Sequence, residues 1–192
     1  MTLQKRLGEV LGWAVAAAAL DQLSKWLILT YVMAPPRVIE IAPFLNLRLG
    51  FNYGVSFGIG RDTLEAWPGM LAAFKVVVAI GLMVWAVRSR IRLERVGLAL
   101  VAGGALGNAQ DRWRQGAVTD FIDLHWGDWH WPTFNGADIA ISAGVGLMLL
   151  AALADYRKAR SGPHPHSPMS LQARKETDLE ADQTMDRGGC RR

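Results

Sequence analysis

Cysteine and histidine are scarce in this sequence, and their scarcity excludes several kinds of site. The 192 residues include one cysteine, Cys190, and four histidines. A single cysteine forms neither a disulfide within the chain nor a cysteine-rich metal cluster. The His-Glu-x-x-His segment of helical zinc proteases is also missing. We therefore expect a protein that uses no metal and no other cofactor.

The positive charge of the chain is modest and is not arranged for binding nucleic acid. The sequence has 21 lysines and arginines against 17 aspartates and glutamates, for a formal net charge of +4. A nucleic-acid-binding surface calls for a basic stripe with interleaved aromatic residues, and the sequence contains none. The basic residues stand instead beside apolar runs and in the C-terminal tail.

Apolar residues are abundant, although the overall hydropathy hides this. Hydrophobic residues make up 51% of the chain, yet the mean hydropathy is only +0.15. The reason is that residues 161–192 are almost entirely polar. That stretch has no apolar periodicity, so we expect a disordered cytoplasmic tail after a single domain over residues 1–160.

Four apolar runs within residues 1–160 are long enough to cross a bilayer, which takes about 20 residues in helical form. They occupy residues 7–33, 68–87, 93–111 and 135–156. The first run resumes after Asp21 and Lys25, so its length is that of a membrane anchor and not of a cleaved signal peptide. The pattern predicts an all-α integral membrane protein with four transmembrane helices.

Basic residues flank the four runs and predict their orientation. They precede the first run, separate the second from the third and follow the fourth: Lys5, Arg6, Arg88, Arg90, Arg92, Arg95, Arg157, Lys158 and Arg160. Since basic residues favour the cytoplasmic side, we expect both termini inside the cell and the two longer links outside. Arg112 and Arg114 lie on the outer side, against this trend.

The two outer links carry different patterns. In the first, residues 38–41 and 44–49 alternate apolar and polar side chains, which predicts a small sheet on the membrane surface. Asn52 and the glycines at 54, 58 and 60 then indicate turns. The second link, residues 112–134, holds four tryptophans, a residue type that prefers the headgroup region. We expect these rings to anchor the link to the membrane: Trp113, Trp126, Trp129 and Trp131.

Ionisable side chains within the apolar runs are costly in a bilayer, so their positions are informative. Asp21 and Lys25 are four residues apart and can pair on one helix face, either as a structural ion pair or in contact with substrate. Lys75, near the outer end of the second run, is expected to reach water by snorkelling. The third run presents three polar residues on one face at its outer end: Asn108, Asp111 and Arg112.

The start of the fourth run is a favourable place for a carboxylate. Asn135 is expected to cap the helix, and Asp138 then occupies the third helical position, where free backbone N–H groups and the helix dipole favour an anion. Asp120 and Asp123 precede it in a link that returns to the same membrane face, and spacing alone does not separate these two. Two carboxylates held close can share one proton and activate water for peptide hydrolysis.

Five short segments gain specificity because they occur in order on a four-span chain. They read Asp21-Gln22-Leu23-Ser24-Lys25, Asn52-Tyr53-Gly54 before Phe57, Gly107-Asn108 with Asp111-Arg112, Val118-Thr119-Asp120-Phe121, and Phe134-Asn135-Gly136-Ala137-Asp138. Together they resemble the motifs of lipoprotein signal peptidase, also called signal peptidase II, a family of bacterial membrane aspartyl proteases. The resemblance covers nearly all of residues 7–156.

The resemblance implies a function and a role for each motif. Asp120 and Asp138 would form the catalytic pair. From the helix-start position of Asp138, and not from the resemblance, we expect Asp138 to be the ionised member and Asp120 to be the proton holder. Five residues would shape and support the pocket: Asn52, Asn108, Asp111, Arg112 and Asn135. We place the Asp21–Lys25 pair with them on the basis of its spacing. The implied substrate is a prolipoprotein whose cysteine carries diacylglycerol, cleaved just before that cysteine. The implied location is the bacterial cytoplasmic membrane, with membrane lipid as the other partner.

Two alternatives from other classes remain to be weighed. A small transporter or channel would use intramembrane charges along a permeation path, whereas here the acids and asparagines gather at one face. A metal-dependent hydrolase would use His125, Asp128 and His130. Because these residues flank tryptophans in a surface link, hydrogen bonding at the interface is favoured over metal ligation.

Overall fold

The computed structural model describes residues 1–54 and 68–161. Its elements follow the order helix, two strands, two helices, two strands, helix. One compact unit spans Met1–Ala151, and a second begins at Ala152, of which residues 152–161 are described. Phe57, the turn glycines at 58 and 60, and the predicted tail beyond 161 lie outside the described residues. The domain boundary at residue 160 stays a prediction.

Each predicted apolar run corresponds to a helix. Helix α1 spans Leu3–Leu27 and continues as a wider π-helical segment, Ile28–Val32. Helix α2 spans Pro68–Arg88, α3 spans Arg92–Gln115, and α4 spans Gly136–Ser161. Helix α3 ends at Gly116, whose φ of 78° lies in the left-handed region that glycine adopts without strain.

Two of the four helices in the described residues are long and apolar enough to cross a membrane by length and composition alone. The qualifying segments are Gly69–Arg88 in α2 and Gly136–Arg160 in α4, with hydropathies of 2.3 and 2.0. Their surfaces carry large exposed apolar side chains such as Phe74, Val77 and Leu149. Helices α1 and α3 carry the buried charged residues and fall short of this criterion among the described residues.

Small residues let α3 approach α1 and α4 closely. A Cβ added at Gly103 would collide with the backbone of Ala14, and one added at Gly107 would collide with Asp21, so this face of α3 meets α1. On another face, Gly97 and Gly144 leave α3 and α4 in backbone contact. Gly146 of α4, in contrast, faces open space among the described residues.

The two outer links combine into one antiparallel arrangement of strands. Strand β1 spans Val38–Ala42, β2 spans Leu45–Asn52, β3 spans Val118–Trp126 and β4 spans Trp129–His130, in the order β1-β2-β3-β4. Strands β1 and β2 confirm the alternating pattern of the first link. The prediction placed the sheet in that link alone and was incomplete, because β3 and β4 come from the second link.

The pairing of β2 with β3 carries the second link toward the helices. Gly50 lies opposite Asp120 in the register, and Asn52 lies opposite Val118. A register shift between Leu47 and Gly50 marks a bulge or irregularity in the ladder, a feature that bends and twists a strand locally. One face of β3 packs through Phe121 on Ile28 and Met33 at the end of α1.

At the end of the helices away from the strands, a cluster of charged residues joins the start of α1 to the start of α3. Glu9 of α1 accepts hydrogen bonds from Arg92 at 2.7 Å and from Arg95 at 2.8 Å. Arg95 is 3% exposed and also donates to the Ser89 carbonyl at 3.1 Å, in the turn between α2 and α3. Glu9, Arg92 and Arg95 therefore all have direct hydrogen-bonding partners, and the cluster links α1 to α3.

Candidate active site

The start of α4 is closed by a reciprocal pair of hydrogen bonds between its cap and its third residue. The Asn135 side-chain oxygen accepts from the Asp138 N–H at 3.2 Å, and the Asp138 carboxylate accepts from the Asn135 N–H at 3.2 Å. This capping-box geometry confirms the predicted cap. It also fixes the Asp138 carboxylate where the positive end of the helix dipole lies.

Two asparagine amides link the carboxylates of Asp120 and Asp138. Asn135 donates from Nδ2 to Asp120 Oδ1 at 2.7 Å, and Asn108 donates from Nδ2 to Asp138 Oδ1 at 3.1 Å. Asn135 also donates to Asn108 Oδ1 at 3.1 Å, so the two amides are themselves joined. Each carboxylate therefore has a neutral donor, and the pair is held without a cation within salt-bridge distance among the described residues.

Strand β3 delivers Asp120 to the same cavity as Asp138. Asp120 is 3% exposed. Its burial and the neighbouring Asp138 charge raise the pKa of Asp120 to about 6, against the opposing effect of the hydrogen bond from Asn135. A carboxyl group with this pKa holds its proton at mildly acidic pH, where an ordinary aspartate would be ionised.

Asp123 is separated from this pair by the alternation of the strand. Side chains at positions 120 and 123 of a strand point to opposite faces. Asp123 is buried on the other face, and its two carboxylate oxygens lie 2.9 and 3.0 Å from His130 Nδ1. The geometry thus distinguishes two acids that the spacing in sequence left equivalent.

A second group of charged residues, outside the cavity, supports the Asp120–Asp138 pair. The Lys25 ammonium group lies 2.8 Å from both Asp21 and Asp111 and donates to Asn108 Oδ1 at 3.1 Å. Asp111 also accepts from the Gln22 amide at 2.8 Å and from the backbone N–H of Thr119 at 3.1 Å. These contacts connect α1, α3 and β3, so the Asp21–Lys25 pair is a structural element that stands outside the cavity lining.

Asp21 also reaches the first turn of α4. Its Oδ1 accepts from the backbone N–H of Ala137 at 2.8 Å, across 116 positions of sequence. Because Gly107 has no side chain, the Asp21 carboxylate fits between α3 and α4. The placement of Asp138 therefore depends on a carboxylate of α1 that satisfies a free N–H group at the start of its helix.

Arg112 and Asn52 also line the cavity. The Arg112 guanidinium donates to the Gly54 carbonyl at 2.8 Å and to the Asn108 carbonyl at 3.4 Å. Asn52 accepts from the Gly54 N–H at 3.2 Å, which fixes the end of β2. Arg112 is 4% exposed, so its charge, which ran against the predicted orientation, belongs to the site.

The cavity has a volume of about 250 Å³ and brings together most of the predicted site. Five predicted residues line it: Asn52, Asn108, Arg112, Asp120 and Asp138. Asn135 is fully buried directly behind it, and the other three predicted residues, Asp21, Lys25 and Asp111, form the supporting layer. The space is large enough to hold water molecules beside the two carboxylates.

Two lining residues were given other roles by the sequence pattern. Trp131 was assigned to membrane anchoring, yet it borders the cavity while remaining 48% exposed. Lys75 was expected to snorkel to water, yet it lines the same cavity. Helical spacing could have predicted the inward position of Lys75. The lysine shares a helix face with Ala72 and Ala79, both of which are buried.

The histidines of the second link are engaged in other contacts. His125 and His130 stack with ring centroids 5.1 Å apart, and His130 Nδ1 is directed at Asp123. Within residues 1–54 and 68–161, no group of three His, Cys, Asp or Glu side chains is placed to hold a metal ion. What these described residues offer instead is a pair of carboxylates in a confined polar cavity, which suits general acid–base chemistry.

Comparison with known proteins places this site in a family context. The sequence profile of the family described as Signal peptidase (SPase) II matches residues 13–154. A lipoprotein signal peptidase of Rhizorhabdus wittichii is 44% identical over 155 residues, covering 78% of this chain and 89% of its own length. One from Rhodopseudomonas palustris is 37% identical over 161 residues, covering 81% and 97%.

Solved structures give the same outcome at the level of the fold. A bacterial membrane enzyme structure obtained by the in meso method at 2.3 Å resolution superposes with a TM-score of 0.69 and 29% identity, covering 82% of this chain and 94% of that one. A second such structure, at 1.9 Å resolution, gives a TM-score of 0.65 and 31% identity, covering 77% and 94%.

Proposed function

Because the chain belongs to the signal peptidase II family, we propose that it is a membrane aspartic endopeptidase that removes signal peptides from prolipoproteins. The observation that carries the proposal is the joint placement of Asp120 and Asp138 in one cavity, each held by an asparagine amide. Two acids of this kind can hydrolyse a peptide bond with water alone.

The environments of the two carboxylates favour a different catalytic role for each. Asp138 sits at a helix start and accepts hydrogen bonds from the Asn135 N–H and the Asn108 amide, which favours its anionic form. Asp120, with its raised pKa of about 6, is the better proton holder. Asp138 is therefore assigned as the general base and Asp120 as the general acid.

The proposed reaction has two stages. Asp138 takes a proton from water as the water oxygen attacks the scissile carbonyl carbon, and Asp120 gives its proton to the carbonyl oxygen. The resulting tetrahedral diol then collapses as Asp138 returns its proton to the leaving nitrogen. Asp120 recovers a proton from the collapsing hydroxyl group, so the enzyme ends in its starting state. Buried hydrogen-bond donors around the cavity limit the reorganisation required at each stage.

The proposed setting is the bacterial cytoplasmic membrane, crossed by all four helices. Exposed apolar side chains on α2 and α4 support this arrangement, as do the four tryptophans, which are between 48% and 84% exposed. With both termini in the cytoplasm, the cavity would face outward at the depth of the headgroups. A lipid-modified cysteine would bring the scissile bond to that depth, so the proposed substrate is a diacylglyceryl prolipoprotein cleaved before this cysteine.

A permeation path fits the charge distribution less well. The buried ionisable residues of α1 and α3 gather at two ends, around Lys25 and around Glu9. Between these ends, the described contacts of α3 with α1 are made by Gly103, Ala14 and Ala17. This apolar middle supports an enzyme with a site at one face over a transporter.

The decisive experiment is cleavage of a purified diacylated prolipoprotein in detergent. Asp120→Asn and Asp138→Asn should each lower the rate by about 10²–10⁴-fold, the usual contribution of a positioned acid or base. Asp123→Asn is the matched control on the other face of β3 and should stay within about threefold of wild type. Near-normal cleavage by either dyad variant would remove the dyad from the mechanism.

Two further arms of the experiment test the chemistry and the substrate. A chelator should leave wild-type cleavage unchanged, and loss of activity with chelator would favour the metal alternative. A precursor carrying an unmodified cysteine should be cleaved at least about tenfold more slowly than the diacylated one. Equal rates for both precursors would overturn the assignment of a lipid-modified substrate while leaving the peptidase activity in place.

A further inference from the structure

Lys75 is the charged residue of the cavity that no motif or supporting contact explains. It lies on α2, about two turns after the helix begins at Pro68, and its side chain is half-buried. Its neighbours Phe74 and Val77 are 65% and 67% exposed, whereas Ala72 and Ala79 on its own face are buried. The lysine therefore projects from the inner face of α2, between two small side chains that leave room for it.

The surroundings of Lys75 are charged on several sides. Within the described residues, the charged groups close enough to interact with it are Asp120 from β3, Asp138 from α4, Arg112 from α3 and Lys25 from α1. No hydrogen bond joins Lys75 to another residue in these parts of the chain, although it lines the cavity together with both aspartates. Its ammonium group thus faces the cavity and acts there through its charge.

Two other cations of the described residues lie near the cavity, and both are already engaged. Lys25 lies 2.8 Å from both Asp21 and Asp111. Arg112 adds positive charge to the cavity, but its guanidinium is fixed by the carbonyl oxygens of Gly54 and Asn108. Of these three cations in the described part of the chain, Lys75, on a flexible four-carbon stem, is the one that can follow a change of charge on Asp120 and Asp138.

We propose that Lys75 is a positioning residue that keeps the Asp120–Asp138 pair singly ionised and thereby sets the acidic limit of cleavage. A cation near two carboxylates opposes the uptake of a second proton, because it stabilises the remaining negative charge. With Lys75 in place, the pair keeps one ionised carboxylate to act as the base at a pH where both members of an isolated pair would be protonated. This inference rests on the proposed function and adds a residue to its machinery.

The test is the pH dependence of cleavage by the full-length enzyme in detergent. Lys75→Met should move the acid limb of the pH–rate profile of kcat upward by about one pH unit, because the nearby positive charge is lost. Above the limb, at pH 8, the rate should remain within about fivefold of wild type. Lys75→Arg keeps the charge and should restore the limb to within about 0.3 pH units of wild type.

Arg114→Gln supplies the matched control for loss of charge. Arg114 is exposed at the outer end of α3 and borders a different cavity, beside Lys25 and Thr119. Its replacement should leave the acid limb in place. A limb that moves equally in Arg114→Gln and Lys75→Met would mean that overall charge, and not a cation in the cavity, controls the profile, and the inference would be lost.

Partial misfolding does not obscure the outcome, because the position of a limb is independent of the amount of active enzyme. Lys75→Gln provides a second uncharged variant with a polar end. An unmoved acid limb in both uncharged variants, or an equal shift in Lys75→Arg, would overturn the inference. A different result would overturn the proposed function, namely cleavage that survives Asp120→Asn or Asp138→Asn.

Discussion

Helices α1 and α3 are joined at both ends by buried charges, but the two ends are built differently. At one end Glu9 has two arginine partners, Arg92 and Arg95, within 2.8 Å. At the other end the lysine has two carboxylate partners, Asp21 and Asp111, also at 2.8 Å. Beyond that second cluster lie two more carboxylates, which receive hydrogen bonds from neutral amides.

The difference teaches how a fold separates structural acids from acids that can exchange protons. Glu9, Asp21 and Asp111 each contact a cation directly, and these contacts link α1 to α3. Asp120, whose closest donor is the neutral amide of Asn135, keeps a raised pKa of about 6 and can gain or lose a proton near neutral pH. The paired acids thus hold the helices, and the amide-bound acids remain free for chemistry.

The largest effect should come from breaking the supporting cluster at its centre. Lys25→Met would leave two buried carboxylates, Asp21 and Asp111, without their cation, a loss of about 3–5 kcal/mol in comparable buried pairs. We expect a sharply reduced yield of folded protein and a midpoint of thermal unfolding well below wild type in detergent. Adding Asp111→Asn should recover part of that loss, because one unpaired charge is removed. An unchanged midpoint for Lys25→Met would show that the cluster is not structural.

A smaller effect on stability, in the opposite direction, should come from the substitution Asp120→Asn. Its pKa in the folded protein, about 6, lies above its ordinary value of 3.8. The folded state therefore binds the proton more tightly, and stability falls as pH rises from about 4 to about 6. Asp120→Asn removes this loss and should stabilise the protein by about 1–3 kcal/mol at pH 8.

The pH dependence of that stabilisation separates it from a general packing effect. The difference in unfolding midpoint between Asp120→Asn and wild type should narrow as the pH is lowered from 8 to 4. A constant difference across this range would contradict the raised pKa of Asp120. A stabilised variant that no longer cleaves is the expected trade between stability and activity at a functional site.

The smallest effect should come from the exposed arm of the Glu9 cluster. The Arg92 side chain is 78% exposed, and exposed ion pairs contribute about 0.2–1 kcal/mol. Arg92→Ala should therefore shift the unfolding midpoint by only a few degrees. Arg95→Met removes a buried guanidinium that also holds the Ser89 carbonyl, so its shift should be larger. Reversal of this order would mean that burial does not govern the strength of this cluster.

The sequence predicted the elements whose signals are local. The helices at the four apolar runs, the alternating strands of the first link and the Asn135 cap all depend on residues close together in the sequence. The structure confirms that each run is helical, and it confirms the strands and the cap. The pair of acids at one face was expected from the same local patterns, with its catalytic role taken from the resemblance. That role stays a prediction until the cleavage assay is done.

The features that escaped prediction depend on distant partners. Strand β3 pairs with β2, which lies about 70 positions earlier in the sequence. The aspartates at 120 and 123 interrupt the apolar pattern that would have predicted a strand there. Once β3 is recognised, the alternation of its side chains separates Asp120 from Asp123. The inward direction of Lys75 likewise follows only from the packing of α2, which a count of residues from the helix end does not reveal.

The hydrogen bond from the Ala137 N–H to Asp21 has a consequence for how the protein is made. It joins a residue of the first helix to the start of the last, across 116 positions. During synthesis, the Asp21 carboxylate must wait for nearly the whole chain before it meets this donor, and Asp138 is fixed by the same event. A ribosome-bound intermediate that stops after α3 therefore lacks both Asp138 and the contact that orients it, so the enzyme should become active only when the last helix has been inserted.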